Sequence, residues 1–188
     1  MMKKTLFIGA MTALLFIQCD KKSDPFLIQQ DTVGKLSKGI QIRQVDSLFA
    51  DDSIVQISRL RNTLGTQGEV EVYEKGGAKL LVISPENEND PNSLISNIQV
   101  FDNRYKTTKG LHKGSTFKDV KANYKILNIE TTISAVVVFL ENSDIFITIN
   151  KSELPENLRY NSNAAIESSQ IPDDATFKYF MIGWDNDN

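Results

Sequence analysis

The clearest pattern in the chain lies over residues 69–84. Glu69, Val70, Glu71 and Val72 alternate polar with apolar, which puts the two valines on one face of a strand. Gly76-Gly77 then supplies a tight turn, and residues 78–84 return as a second strand, so the stretch predicts a β-hairpin. Leu80 to Ile83 is apolar on both faces, which predicts an internal position in its sheet. Residues 94–101 predict another strand, Asp102-Asn103 a turn, and residues 104–108 a further extended piece. Residues 135–140 and 145–149 predict a second hairpin, turned at Asn142-Ser143-Asp144. A last strand over 176–184 carries Phe180, Ile182 and Trp184 on one face and Phe177, Tyr179 and Met181 on the other, so it too is expected inside the sheet. Residues 54–57 read as one more short strand.

Helical spacing is confined to two places. Ile42, Val45, Leu48 and Phe49 recur at three- and four-residue steps, predicting a short helix over 42–49. Thr116 followed by Asp119 fits a capping box, and Phe117, Val120 and Tyr124 form an apolar stripe, predicting a helix over 117–124. Gly114, just ahead of it, is expected to take a left-handed turn. Residues 85–93 (PENENDPNS) are a loop by composition. Their alternating acids lack the glycine and distal glutamate of a calcium loop. Pro155 breaks the chain, and residues 157–169 are loop with one helical turn.

Together these elements predict an α+β fold, an antiparallel sheet with two short helices. A 75-residue offset also sets Leu36 on Leu111, Lys38 on Lys113, Gly39 on Gly114 and Val45 on Val120. Ile42/Phe117, Arg43/Lys118 and Phe49/Tyr124 are conservative pairs at the same offset. Two turn–helix–hairpin repeats, 33–84 and 94–150, account for this, although any capped helix demands similar spacing.

The first 18 residues follow a different rule. Lys3 and Lys4 precede an apolar run of about a dozen residues, too short to span a bilayer, which stops at Cys19. This resembles a bacterial lipoprotein signal. The resemblance implies removal of residues 1–18 and acylation of Cys19, with palmitate among the chains attached. Phe16, Ile17 and Gln18 depart from the Leu, small-residue, Gly/Ala positions of that signal, with Leu15 one step further back. Residues 19–30 are then expected to be a flexible tether and 31–188 a single α+β domain. Cell-envelope localisation follows, on the inner or outer membrane and facing the periplasm or the surface.

Charge and composition narrow the chemistry. Cleavage before Cys19 removes Lys3 and Lys4 and no acid, so 21 basic residues become 19 against 24 acidic, a net of −5. No basic face for a phosphate backbone is expected, and so no nucleic-acid partner. With one cysteine and one histidine in the chain, neither a zinc site nor an activated thiol is expected, nor any cofactor.

Asp102, Arg104, Tyr105 and His112 cluster in sequence and form the candidate interaction surface. The simpler expectation there is a turn in which Asp102 accepts backbone hydrogen bonds and pairs with Arg104. Ser115 and Lys118 fit Ser-x-x-Lys, the nucleophile and base of penicillin-recognising enzymes, but no Lys-Thr-Gly strand follows.

The segment Ile95-Ser96-Asn97-Ile98, Val100, Asp102, Arg104, Lys106-Thr107 and Gly110, continued by Gly114-x-Thr116-Phe117-x-Asp119-Val120 and Tyr124, resembles small Gram-negative envelope lipoproteins of the YfeY type over about residues 33–149. The helix start is also similar to that of the smallest lipoprotein of the barrel-assembly machinery and to tandem-repeat hydrolase inhibitors. The resemblance implies an α+β envelope module and carries over no catalytic residue. The leading expectation is a membrane-anchored, non-catalytic module for an envelope protein partner. The alternatives are an inhibitor or sensor of an envelope hydrolase acting through loop 85–93, and a serine acyl-transfer enzyme using Ser115 and Lys118.

Overall fold

Alternation decides which side of each strand is covered. In a computed structural model describing residues 24–57, 68–160 and 165–186, twelve strands form two sheets among those residues. The chain opens with β1 (Leu27–Gln29), β2 (Thr32–Val33) and β3 (Leu36–Ser37). A 3₁₀ turn (Ile42–Gln44) runs into α1 (Val45–Leu48), then β4 (Ser53–Ile57), β5 (Glu69–Tyr73), β6 (Lys79–Pro85) and β7 (Ile95–Val100) follow. The two-residue β8 (Lys106–Thr107) precedes α2 (Phe117–Asn123), β9 (Ile126–Thr131), β10 (Ala135–Leu140) and β11 (Ile145–Asn150). One-turn α3 (Glu156–Arg159) and β12 (Tyr179–Gly183) complete the order.

The expected α+β fold is present. The large sheet is antiparallel throughout, in the order β4-β5-β6-β7-β12-β11-β10-β9. β6 and β12 are internal, as their sequences require. Val72, Leu81, Ile98, Val100, Val138, Ile147 and Phe180 all face one side and are fully buried. They share one cluster with Ile42, Val45 and Phe49 around α1, Phe117 and Val120 of α2, and Ile28, Val33 and Leu36 of the small sheet. On the other face Val82, Val137, Phe139, Phe146 and Met181 are half-buried. Two-sided apolarity in β6 and β10 therefore marks an internal strand, with only one face fully covered.

The large sheet divides into two meanders at other bounds than the expected 33–84 and 94–150, because β7 pairs as the last strand of the first and β12 as the last strand of the second. The first half contributes β4-β5-β6-β7 and the second β9-β10-β11-β12, each a meander running from an edge to the centre. The halves meet where β7 pairs antiparallel with β12, through Ile98↔Ile182 and Val100↔Phe180. Equivalent bonds recur in both. Gln41 bridges Leu94 as Thr116 bridges Thr176, and Ile42 N–H donates to Ser93 O (2.9 Å) as Phe117 N–H donates to Ala175 O (3.0 Å). Each short helix starts with a reciprocal capping box, Gln41/Gln44 in one half and Thr116/Asp119 in the other.

The small sheet departs most from the sequence expectations. Residues 27–29, expected inside the tether, form β1 between β2 (antiparallel) and β8 (parallel). Ile28 drives this by burying its side chain, 3% exposed, in the common core. The signal segment, Cys19 and tether residues 19–23 lie outside the described residues. Gly114 does not adopt positive φ; Gly110 does, at +83°.

Gly34 (φ +57°) is the position where β1 depends on glycine. An added Cβ would lie 2.2 Å from Pro25 O and 3.0 Å from Tyr105 Cε1. Gly39 has φ +85° but open space around it. Gly39→Ala is expected to cost about 1 kcal/mol and Gly34→Ala at least about twice that, compared by urea denaturation midpoints. Equal losses would show that the N-terminal segment does not press on Gly34.

Candidate functional site

The residues singled out by sequence separate into three environments. The Asp102-Asn103 turn forms as the simpler expectation required. Asp102 Oδ1 accepts from Arg104 N–H (2.8 Å) and Nε (3.0 Å), and Oδ2 accepts from Nη2 (2.8 Å). Arg104 Nη1 also donates to Glu74 Oε1 (2.8 Å), and its guanidinium lies over the Phe26 ring at 4.4 Å. Arg104 beside Asp102 holds that carboxyl below the usual carboxylate range, although partial burial opposes it.

Tyr105 leaves the candidate surface. It is 1% exposed and meets Phe26 edge-on at 5.0 Å. Burial, with Asp52 and Asp102 nearby, pushes its phenol well above the ordinary range. In the sequence it reads as a polar turn residue, and its burial is set by a partner, Phe26, 79 positions away. His112 is half-buried, pairs across a bridge with Lys106, and accepts through Nδ1 from Gly114 N–H (3.1 Å). Asp102 and Arg104 thus form one polar cluster, Tyr105 is core, and His112 belongs to the turn before α2.

Ser115 and Lys118 have separate surroundings. Ser115 is buried and its Oγ accepts from His112 N–H (3.2 Å), whereas Lys118 is exposed. No hydrogen bond joins them among the described residues. Loop 85–93 is braced by its own side chains: Asn87 Oδ1 accepts from Asn89 N–H, Asp90 Oδ1 from Asn92 N–H, and buried Ser93 Oγ from Asn87 N–H (2.8 Å). Among the described residues no three His, Cys, Asp or Glu side chains converge as a metal site.

One concavity was not picked out from sequence. A cleft of about 450 Å³ opens between the small sheet and the β10–β11 turn. Ile28, Tyr124, Ile145 and Ile182 give it apolar walls, and Thr107, Gln29, Gln30 and Asn142 give it polar ones. Asn142 holds φ +52° to turn the hairpin at the rim. Tyr124 OH donates to Thr107 Oγ1 (2.7 Å), fixing the ring at the wall. The charges here are already engaged: Lys125 pairs with Glu141 (2.8 Å), Lys109 Nζ donates to Asn123 O (2.7 Å), and Asp144 Oδ2 accepts from Asp31 N–H (3.3 Å). A second groove of about 370 Å³ shares Ser143, Asp144 and Ile145 and reaches Phe146 and Trp184 on the other side of the turn. Trp184 itself is 3% exposed and part of the core. Tyr124 and the Asn142 turn were visible in the sequence as helix stripe and hairpin turn, but nothing in it placed them together with β1.

No family model matches the sequence, and no curated protein matches it. Among solved structures the fold is similar to the uncharacterized protein yfeY from Escherichia coli, with a TM-score of 0.50 and 16% identity over 84% of this chain and 98% of that one. The resemblance to YfeY-type proteins expected from residues 95–124 is met by this shared fold, and at that identity it extends to the fold alone.

The Asp102–Arg104 pair makes stability pH-dependent. A carboxyl whose folded pKa is depressed contributes stability above its unfolded pKa, about 3.9, and loses it as pH falls through the folded value. Asp102→Asn is expected to lower Tm by a few degrees at pH 7, with the gap to wild type closing below about pH 4. A gap independent of pH would assign the loss to turn geometry instead of charge.

Proposed function

We propose that this protein is a lipid-anchored envelope protein whose domain binds an envelope protein partner without catalysing a reaction. The observation that carries this is the cleft beside the β10–β11 turn, with apolar walls, a polar rim, one ion pair (Lys125–Glu141), and Lys109 and Asp144 each hydrogen-bonded to a backbone group. Such a surface suits recognition of shape and hydrogen-bonding groups.

Cys19, directly after its basic and apolar leader, supports the anchor. Several acyl chains at about 0.8 kcal/mol per buried CH₂ would make such attachment effectively permanent. A second reading, inhibition or sensing of an envelope hydrolase, is favoured by the internal bracing of loop 85–93, since a pre-ordered loop loses little freedom on insertion into a groove.

Two measurements test the proposal. Labelled palmitate is expected in the wild-type protein and absent from Cys19→Ala; undiminished label in the variant would exclude Cys19 as the acyl site. Crosslinking in intact cells from positions around the cleft is expected to capture an envelope protein, whereas capture from loop 85–93 of one dominant hydrolase would favour the inhibitor.

A further inference from the structure

The second groove, of about 370 Å³, lies on the face of the large sheet opposite the core and holds one atom the fold leaves unexplained. Trp184 lines this groove and is 3% exposed, and its buried Nε1 has no hydrogen-bond partner among the described residues. An indole nitrogen only donates, so a buried one is satisfied by an acceptor brought to it. The groove's other polar groups have the opposite need. Asp144 and Asp185 bring carboxylate oxygens, and Asn97 donates through Nδ2 to Ser96 Oγ (3.1 Å), which leaves its Oδ1 as an acceptor. Between them lies an aromatic floor. Phe139 of β10 and Phe146 of β11 are register partners whose rings lie 5.7 Å apart and within 25° of parallel. Gly183 in β12 makes room for this floor, since a Cβ there would stand 3.1 Å from Phe146 Cε1 and 3.5 Å from Asn97 Oδ1.

These needs select a ligand class. A cation would suit the two acids and the ring faces but would leave the indole N–H unpaired. An anion would accept from the indole but would lie against two carboxylates. A neutral pyranose ring meets all three demands, because one of its faces is a patch of C–H groups and each of its hydroxyls both donates and accepts. We propose that this groove binds one residue of a neutral saccharide, its C–H face on Phe139 and Phe146, its hydroxyls donating to Asp144, Asp185 and Asn97 Oδ1, and one of its oxygens accepting from Trp184 Nε1. Nε1 is covered by its neighbours, so the sugar oxygen reaches it by displacing a lining side chain, and the surroundings of the indole change on binding. This site goes beyond the partner cleft on the other side of the β10–β11 turn, and neither requires the other.

Trp184 is the sole tryptophan of the chain, so one indole N–H resonance reports this site alone. The test is a chemical-shift titration of the cell-expressed protein in small phospholipid bicelles with N,N′-diacetylchitobiose, cellobiose and maltose, which needs no protein partner and so can fail independently of crosslinking. At least one of these neutral probes is expected to move the indole proton downfield, saturably, with a dissociation constant in the millimolar range for so small a ligand, and to shift the amides of residues 144–146 and 183–185. Glucuronate and choline should each bind at least about tenfold more weakly. Phe139→Ala, a change on the half-buried face, should weaken the sugar by about tenfold while the amides of the β7–β12 pairing keep their positions, and Trp184→Phe should weaken it similarly as read from the amides of 144–146. No indole shift with any neutral probe, equal or tighter binding of glucuronate or choline, or undiminished sugar binding in both variants would overturn the proposal.

Discussion

The antiparallel pairing of β7 with β12 is the contact that joins two meanders into one sheet. Each half is a four-strand meander headed by a capped turn of helix, and alone it would expose its innermost strand as an unpaired edge. Joined at Ile98↔Ile182 and Val100↔Phe180, the two meanders become an eight-stranded sheet. Their buried faces then merge into one core from Ile28 to Trp184. At about 1.5–3 kcal/mol for each large side chain fully withdrawn from water, the residues flanking this seam are a major source of stability. The last strand, at the C-terminal end of the chain, thereby completes a sheet begun by β4.

Symmetry sets the frame, and its breaking makes the site. β1 has no counterpart in the second half. It is held by Ile28, by Pro25 against Gly34, and by its parallel pairing with β8. On one side of β1 Phe26 packs edge-on against Tyr105 and beneath the Arg104 guanidinium; on the other, Ile28, Gln29 and Gln30 help line the cleft. The same short strand is the first of the described strands in the chain, so the start of the described fold and the open cleft share a wall.

Much of the framework was legible from local chemistry. The Thr116/Asp119 capping box, the Gly76-Gly77 and Asn142 turns, and the all-apolar β12 each stated their role within a few residues. What was not legible depends on partners distant in sequence. A strand of two or three residues, such as β1, β2 or β8, is too short to show a period. β9, Ile126–Thr131, mixes exposed Leu127 with Asn128 and Glu130 because it is an edge with a register shift, and so lacks clean alternation. Tyr105 looked like a surface aromatic because Gly34 and Phe26, which enclose it, are 71 and 79 positions away. The cleft follows the same logic, since β1 and the Asn142 turn meet only in the folded chain.

Native-state hydrogen exchange tests the seam most directly. The account predicts that the amides of Val72 and Leu81 in one half and of Val138 and Ile147 in the other exchange through the same opening, with the same free energy and the same dependence on denaturant as those of Ile98 and Phe180. Separate free energies for the two halves, with the β7–β12 amides following the weaker one, would show that the repeats are independent units in contact and would contradict it.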